Sequence, residues 1–396
     1  MNKINYVIIG SSAAGIGAAA KLRDLDPQGT ITCLTTEQVM PYNRCLLADV
    51  LATKKTPEAI AVKSTAFFNE KNITIQLNSH VEAIDANNQH VITQQGETIA
   101  YDKLLIATGR SGWTPDLPGN QLVGVMSFYG LTDVHAIMTY IKANDVQHIV
   151  VVGAGLSGLE CADALKPLVK TVTIIERTTR TLPHQLNDDG SRFLITLAQA
   201  HGVAVQTNVT VAALEGSTHI KQVILSDGSA LSADLVIFAI GGRTNSKIAG
   251  HAGLTLHNNH AIDVSSRQQT SNDHIYAAGD VATVIDQITG TKAQSCLWPD
   301  AVKQGMVAAS NMTGTEKHYD GTVLVTSSTI FGTTFVTAGA IAHPPTGLKL
   351  LVKETPSFYH ALLTDQDNVL KGFALVGNVD NIGALRKKLL EKTPLF

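Results

Sequence analysis

The sequence predicts an α/β protein built on two copies of a strand–helix–strand unit, with a smaller α+β domain towards its C-terminal end. Three observations carry this expectation. Two continuous apolar runs, Tyr6-Val-Ile-Ile9 and His148-Ile-Val-Val-Val152, each end in a glycine cluster, at Gly10 and at Gly153. Each cluster opens a helical segment followed by a second apolar strand, which is the order of a parallel sheet buried on both faces. From residue 316 onwards the chain instead becomes a series of short Val-, Thr- and Phe-rich runs. A length of 396 residues fits two or three domains.

The elements follow in order. The first helix is expected over Gly15 to Leu25, Ala-rich and ended by Asp26-Pro27, with a strand over Thr30 to Leu34. Lys103-Leu-Leu-Ile-Ala-Thr-Gly109 reads as a strand running into a tight turn. The stretch Ser111 to Asn120, with Gly112, Pro115, Pro118 and Gly119, reads as a linker. The second unit repeats the first: strand His148 to Val152, helix Gly158 to Leu168, strand Thr171 to Ile175. Asp234-Leu-Val-Ile-Phe-Ala-Ile240 before Gly241-Gly242 repeats the strand-then-glycine pattern, as does His274-Ile-Tyr-Ala-Ala-Gly-Asp280. C-terminal strands are expected at Thr322–Ser327, Thr333–Thr337, Leu348–Lys353, Tyr359–Thr364 and Gly372–Val376. A last helix is expected from Asn381 to Lys392.

Composition narrows the function classes. A formal net charge of −3 gives no basic surface for neutralising phosphates, which disfavours nucleic-acid binding. No apolar run approaches the ~20 residues needed to span a bilayer. The opening segment is too short in apolar residues for a signal peptide and runs directly into the Gly10 cluster. The four cysteines, Cys33, Cys45, Cys161 and Cys296, form no C-x-x-C, and their sparse placement suits a reducing cytoplasm. Cys33 in a strand and Cys161 in a helix read as small core residues, and burial is also the simplest account of Cys296. The fourteen histidines show no H-x-x-x-H spacing, so no metal is assigned.

The glycine clusters carry the chemistry. Gly10-Ser11-Ser12-Ala13-Ala14-Gly15 is a G-x-G-x-x-G with Ser12 at the second glycine, and Gly153-Ala-Gly155-Leu-Ser-Gly158 is complete. The pattern supplies a tight turn, then a close approach of backbone to a pyrophosphate at a helix N-terminus. Serine is small enough to keep that approach, with some strain. Either loop alone could simply pack a helix on a strand; two loops, each between a strand and a helix, imply two nucleotide-binding folds. Glu176 ends the second unit's second strand, where a carboxylate accepts ribose hydroxyls and repels a 2′-phosphate, favouring NADH over NADPH. Arg177 and Arg180 stand close enough to bind a phosphate instead. Glu37, just beyond Thr35-Thr36, is the matching acid of the first unit, or a solvated loop acid.

The order of these motifs resembles the pyridine nucleotide–disulfide oxidoreductase superfamily of flavoproteins. The marks are Gly10-x-Ser12-x-x-Gly15, Ala107-Thr108-Gly109, Gly153-x-Gly155-x-x-Gly158 with Glu160, Gly241-Gly242-Arg243 and Ala278-Gly279-Asp280. They span essentially the whole chain. Pro41-Tyr-Asn-Arg-Cys-Leu-Leu47, Leu297-Trp-Pro-Asp-Ala-Val-Lys-Gln-Gly305 and the stretch Gly372 to Leu395 look most like the NADH:rubredoxin reductases and the flavin module of NADH-dependent nitrite reductases. That subgroup often has a lysine shortly after the arginine, where this chain has Leu47-Ala48-Asp49.

The resemblance implies two Rossmann-like domains, with the NAD domain inserted in the FAD domain. Residues 1–115 and 241–315 would form the FAD-binding domain, 116–240 the NAD(H)-binding domain, and 316–396 an α+β interface domain. FAD would lie along Gly10, Ser12, Ala14, Gly15, Glu37, Arg44, Thr108, Gly109 and Gly279, with Asp280 accepting from a ribityl hydroxyl. A helix starting near Pro299 would aim its N-terminus at the flavin pyrimidine, where its dipole favours the reduced anion. Trp298 would line the flavin or fill a domain junction. NADH would take Gly153, Gly155, Gly158, Glu176 and Gly242, with Glu160 beside the nicotinamide. Read from position alone, Asp280 is also a turn-capping acid and Glu160 a first-turn helix acid.

The implied activity is transfer of electrons from NADH through FAD to a small electron carrier, rubredoxin or another iron–sulfur protein, or to a partner reductase subunit. A rival is a single-cysteine NADH oxidase, peroxidase or coenzyme A-disulfide reductase using Cys45, since Tyr42-Asn-Arg-Cys45 has that group's spacing. Against this, Leu46-Leu47 stands where glycine usually follows the redox cysteine. A rival of another class is a flavin- and NADH-binding signalling protein with little turnover. A homodimer through the C-terminal domain and a C-terminal domain that only covers the flavin both stay open.

Overall fold

The computed structural model describes residues 3–395; Met1, Asn2 and Phe396, the ends of the first and last expected domains, lie outside them. The described chain divides into two compact units. The first takes residues 1–45, 56–111 and 243–322; the second takes 46–55, 112–242 and 323–396.

The first unit is organised by a five-stranded parallel sheet in the order Ile275–Ala277, Lys103–Ile106, Asn5–Ile9, Thr30–Leu34, Ile73–Gln76. Its strands are apolar on both faces because both are covered. One face packs on the helices Ala13–Leu25 and Trp298–Met312, around Tyr6, Ile8, Leu22, Cys33 and Leu105. Those two helices approach closely: a Cβ at Gly305 would lie 2.1 Å from the Ala14 carbonyl oxygen. The other face, around Val7, Leu34, Leu104 and Ile106, packs on a three-stranded antiparallel sheet, Val81–Asp85, His90–Thr93 and Thr98–Ala100.

The second unit contains the same arrangement. Its parallel sheet runs Val203–Thr207, Thr171–Glu176, His148–Val152, Leu235–Phe238, Val125–Ser127, and its antiparallel layer is Val211–Gly216, Ile220–Leu225 and Ala230–Ser232. It also holds a five-stranded antiparallel sheet, in the order Val325–Ile330, Thr333–Gly339, Leu370–Val376, Phe358–Thr364, Lys349–Thr355, with the helix Ile382–Glu391 packed on it. Tyr359 anchors that sheet inside the unit, its hydroxyl donating to Asn187 Oδ1 at 2.7 Å.

Element boundaries differ from expectation in an informative way. The first C-terminal strand is Val325–Ile330 rather than Thr322–Ser327. The helices after both loops start earlier than their third glycine, at Ala13 and Leu156, and the second ends at Leu165 before a 3-10 turn over Lys166–Leu168. Gly15 and Gly158 are therefore inside the first helical turn. The reason is contact, not flexibility: a Cβ at either would lie 1.9 Å from the carbonyl oxygen of the loop's first glycine.

Candidate functional site

The two glycine loops have matching geometry. Gly10 and Gly153 both sit at φ +109°, a conformation open to glycine and strained for other residues. Both donate their N–H to a carbonyl at the end of the neighbouring strand, Gly10 to Leu34, the last residue of its strand, and Gly153 to Ile175, the last but one. The helix that follows each loop has no side-chain cap and no acid in its first turn. A Cβ at Gly155 would meet nothing within 4 Å. Helix N-termini without a side-chain cap can take an anion, and at the second loop the space beside Gly155 is open to one, a geometry that fits a pyrophosphate. The strain expected at Ser12 is not found: it is the N-cap at φ −89°, ordinary extended backbone, like Gly155 at φ −73°.

In the first unit, Glu37 is half-buried. Its Oε1 accepts from Arg44 Nη2 and, at 3.1 Å, from the Tyr42 hydroxyl. The Arg44 guanidinium also lies over the Tyr42 ring. Glu37 is thus held in a network with Arg44 rather than free in a loop. Thr108 Oγ1 donates to the Asn245 carbonyl at 2.8 Å, and Asn245 Nδ2 donates back to the Thr108 carbonyl at 2.9 Å. Gly109 follows at φ +60° with open space where a side chain would be. Asp280 comes directly after the Ile275–Ala277 strand and Gly279. Burial pushes its carboxyl above the usual carboxylate range, and the Arg110 and Arg44 guanidiniums oppose that rise.

Two glutamines missed by sequence reasoning fix the Asp280 turn. Gln304 Oε1 accepts the Gly279 N–H at 2.8 Å, and Gln294 Nε2 donates to the Asp280 carbonyl at 2.6 Å. Gln304 lies within the stretch Leu297 to Gly305 that carries the resemblance, without a role assigned to it, and Gln294 lies outside every motif. That helix begins at Trp298, one residue before Pro299, and Trp298 packs half-buried against the helix-covered face of the sheet.

The cysteines separate by environment. Cys33 and Cys161 are fully buried, and burial pushes the Cys33 thiol up to about 12. Cys296 is exposed, not buried as expected, and takes φ +50° with Arg110 Nη1 donating to its Sγ at 3.3 Å. Cys45 is also exposed, on the 3-10 turn Arg44–Leu46, its N–H held by Asn43 Oδ1.

In the second unit, Glu176 is buried and fully engaged. Oε2 accepts the Ala154 N–H at 2.8 Å; Oε1 accepts the N–H and hydroxyl of Thr178, each at 2.8 Å. Arg177 is exposed. Arg180, the other expected phosphate ligand, is turned to the C-terminal sheet: Nη1 donates to the Ala342 carbonyl at 2.8 Å and Nε pairs with Asp188. Gly242 makes room for an aromatic ring, since a Cβ there would lie 2.8 Å from Tyr129. Glu160 is the fifth residue of the Leu156–Leu165 helix, past its first turn, and accepts from Ser328 Oγ at 2.6 Å. Burial pushes the Glu160 carboxyl above the ordinary range; the Ser328 hydroxyl opposes this, and Asp49 and Asp163 add to it.

Among the described residues no helix is long and apolar enough to cross a membrane, and no group of three His, Cys, Asp or Glu side chains is arranged to hold a metal ion.

The chain is 32% identical over 311 residues to the rubredoxin-NAD(+) reductase of Pseudomonas putida, covering 78% of this chain and 80% of that one. It is 30% identical over 396 residues to the assimilatory nitrate reductase electron transfer subunit of Bacillus subtilis, covering 99% of this chain and 50% of that one. Among solved structures, the NAD-dependent persulfide reductase from A. fulgidus matches with a TM-score of 0.92 at 26% identity, over 99% of this chain and 77% of that one. Residues 4–305 match the pyridine nucleotide-disulphide oxidoreductase family, and the chain belongs to it.

Proposed function

We propose that the protein is an FAD-dependent NADH oxidoreductase that passes electrons to a small electron-carrier protein, rubredoxin or a comparable iron–sulfur protein, or to a partner reductase subunit. The observation that carries the reading is the pair of matching glycine loops, each with an uncapped helix N-terminus, in one chain. FAD is read along Gly10, Ser12, Ala14, Gly15, Glu37, Arg44, Thr108, Gly109, Gly279, Asp280 and Trp298. NADH is read along Gly153, Gly155, Gly158, Glu176 and Gly242, with Glu160 at the nicotinamide. Residues 116–240 are the NAD(H) domain inserted between the two parts of the FAD domain, 1–115 and 241–315, and 316–396 is the C-terminal α+β domain. The free cysteines favour the cytoplasm.

When bound, the flavin accepts a hydride from the nicotinamide and releases single electrons to the acceptor. The chain's own part is to bind, orient and exclude water. The Gly10 and Gly153 loops present N–H groups to the two pyrophosphates, and Gln304 and Gln294 hold Asp280 in place. The Trp298–Met312 helix would aim its N-terminus at the reduced ring, with Asp300 in its first turn offsetting part of the positive potential that its length provides.

The test is an anaerobic titration with NADH, then mixing with rubredoxin, ferredoxin, a disulfide and peroxide in separate runs. The purified protein should be yellow with about one FAD per chain, bleach with NADH, and recolour fastest with the iron–sulfur protein. A colourless protein that cannot be reconstituted with FAD refutes the reading. A second reading, thiol chemistry at Cys45, is favoured by the exposure of that residue and by the likeness to a persulfide reductase. Fastest reoxidation by the disulfide would select it.

A further inference from the structure

Two acids on one helix hold the first hairpin of the C-terminal sheet. Glu160 and Asp163 are three residues apart on the Leu156–Leu165 helix and so share a face. Glu160 Oε1 accepts from Ser328 Oγ at 2.6 Å, and Asp163 Oδ2 accepts the Phe331 N–H at 3.0 Å. Ser328 lies in the Val325–Ile330 strand, which turns through Phe331-Gly332 into Thr333–Gly339, with Ile330 paired to Thr333. Both turn residues have positive φ, +51° and +69°, as a two-residue hairpin turn requires. The His201 ring stacks on Phe331 at 5.5 Å. These contacts hold the strand that carries Ser328 against the Leu156–Leu165 helix. A third acid, Asp49, comes from the Leu47–Leu51 helix packed against the same helix, and Lys55 pairs with it at 2.9 Å. The charged groups acting on Glu160 are thus Asp49 and Asp163, both acidic.

We propose that Ser328 is a positioning residue of the NADH site, and that Glu160, whose carboxyl it holds, is a group whose charge sets the relative affinity for NAD+ and NADH. The proposal rests on the reading that places the nicotinamide at Glu160. The ring is cationic in NAD+ and neutral in NADH, so an ionised Glu160 favours NAD+ and a protonated one removes that preference. Burial and two like charges keep the proton on Glu160 to higher pH than an ordinary carboxyl. Ser328 works the other way, because a donated hydrogen bond stabilises the ionised form. Hydride donation from nicotinamide C4 to a bound flavin would leave the ring cationic, and an ionised Glu160 would be its counterion. A proton held by Glu160 would pass to water, so the carboxyl would change protonation alone while the electron pair goes to the flavin.

The experiment measures equilibrium binding to the oxidised holoprotein from pH 5 to 9. The ligands are NAD+, the unreactive neutral-ring analogue 1,4,5,6-tetrahydro-NADH, and ADP-ribose, which lacks the nicotinamide. In the unmodified protein, the affinity of NAD+ relative to the neutral analogue should rise about tenfold with pH. In Ser328→Ala the same rise should be displaced upward by about one pH unit. Ser328→Thr should restore the original midpoint, and Glu160→Gln should show no rise. ADP-ribose should bind all four proteins alike at every pH. A flat ratio in the unmodified protein with ADP-ribose still bound, or an unmoved midpoint in Ser328→Ala, overturns the proposal and leaves the cofactor reading standing. Failure of ADP-ribose to bind overturns the cofactor reading and the proposal together.

Discussion

Glu176 Oε2 accepts the N–H of Ala154 at 2.8 Å, tying the end of one strand to the middle of the second glycine loop. On the proposed NADH reading, the same carboxylate would both accept a ribose hydroxyl and hold the loop that would face the adjoining phosphates, so specificity and local stability would be coupled through one side chain.

Replacing Glu176 with Ala should therefore have two effects. The preference for NADH over NADPH should narrow by about tenfold, ~1.4 kcal/mol of discrimination. The Ala154 and Thr178 N–H groups lose their acceptor, so stability should fall by about 1–3 kcal/mol. Steady-state kcat/KM with both coenzymes and thermal unfolding of the same samples check this. Equal kcat/KM for NADPH and NADH in the unmodified enzyme would refute the assignment.

The glycines of the second loop should separate under substitution. At Gly155 an added methyl meets open space, so Gly155→Ala should fold with an unchanged Tm and bind NADH more weakly. At Gly158 it meets the Gly153 carbonyl oxygen at 1.9 Å, so Gly158→Ala should lose at least about 1–3 kcal/mol by forcing helix and strand apart. Tm and NADH affinity measured on both variants distinguish a ligand-facing glycine from a packing one. A normal Tm for Gly158→Ala contradicts the packing account.

Gln304 is almost fully buried, and its Oε1 is the acceptor of the Gly279 N–H. Gln304→Leu keeps the volume but leaves that buried donor unmet, at a cost of about 1–3 kcal/mol. The released Gly279-Asp280 turn should also weaken FAD retention, read as flavin lost on gel filtration in dilute solution. Gln304→Glu, which retains the acceptor, should hold FAD better than Gln304→Leu.

Much of this was legible in the sequence because backbone geometry constrains residue type. Only glycine fits at Gly10 and Gly153 with φ +109°, and only glycine fits against a carbonyl oxygen at Gly15 and Gly158. Continuous apolar runs such as His148 to Val152 mark strands covered on both faces. The side chains that orient these elements left no comparable trace. Gln294, Gln304, Asn245 and Ser328 act through contacts with residues far away in the chain, and each is an ordinary polar residue when read alone. Arg180, open to a phosphate by its closeness to Glu176 in sequence, donates to a backbone carbonyl 162 residues away, a contact that the sequence does not reveal. Cys296 is exposed and takes a left-handed backbone, neither of which its residue type reveals.

Cys45 divides the electron-transfer reading from its thiol-based rival. Its exposure and the neighbouring Arg44 favour reactivity, since a thiolate must be reachable and benefits from a cation. Arg44, however, pairs with Glu37 Oε1 and stacks over Tyr42, which weakens what its charge offers the thiol. The thiol sits on a single 3-10 turn, and the helix that follows, Leu47–Leu51, has only five residues and an acid, Asp49, in its first turn. A short helix with an acid at its start provides little positive potential to lower a thiol pKa. Cys45→Ser should accordingly retain most of the NADH-dependent reduction of rubredoxin or ferricyanide. It should also leave the long-wavelength absorbance of the NADH-reduced protein unchanged. Abolished turnover, or loss of a thiolate–flavin charge-transfer band, would transfer the assignment to disulfide, persulfide or peroxide reduction.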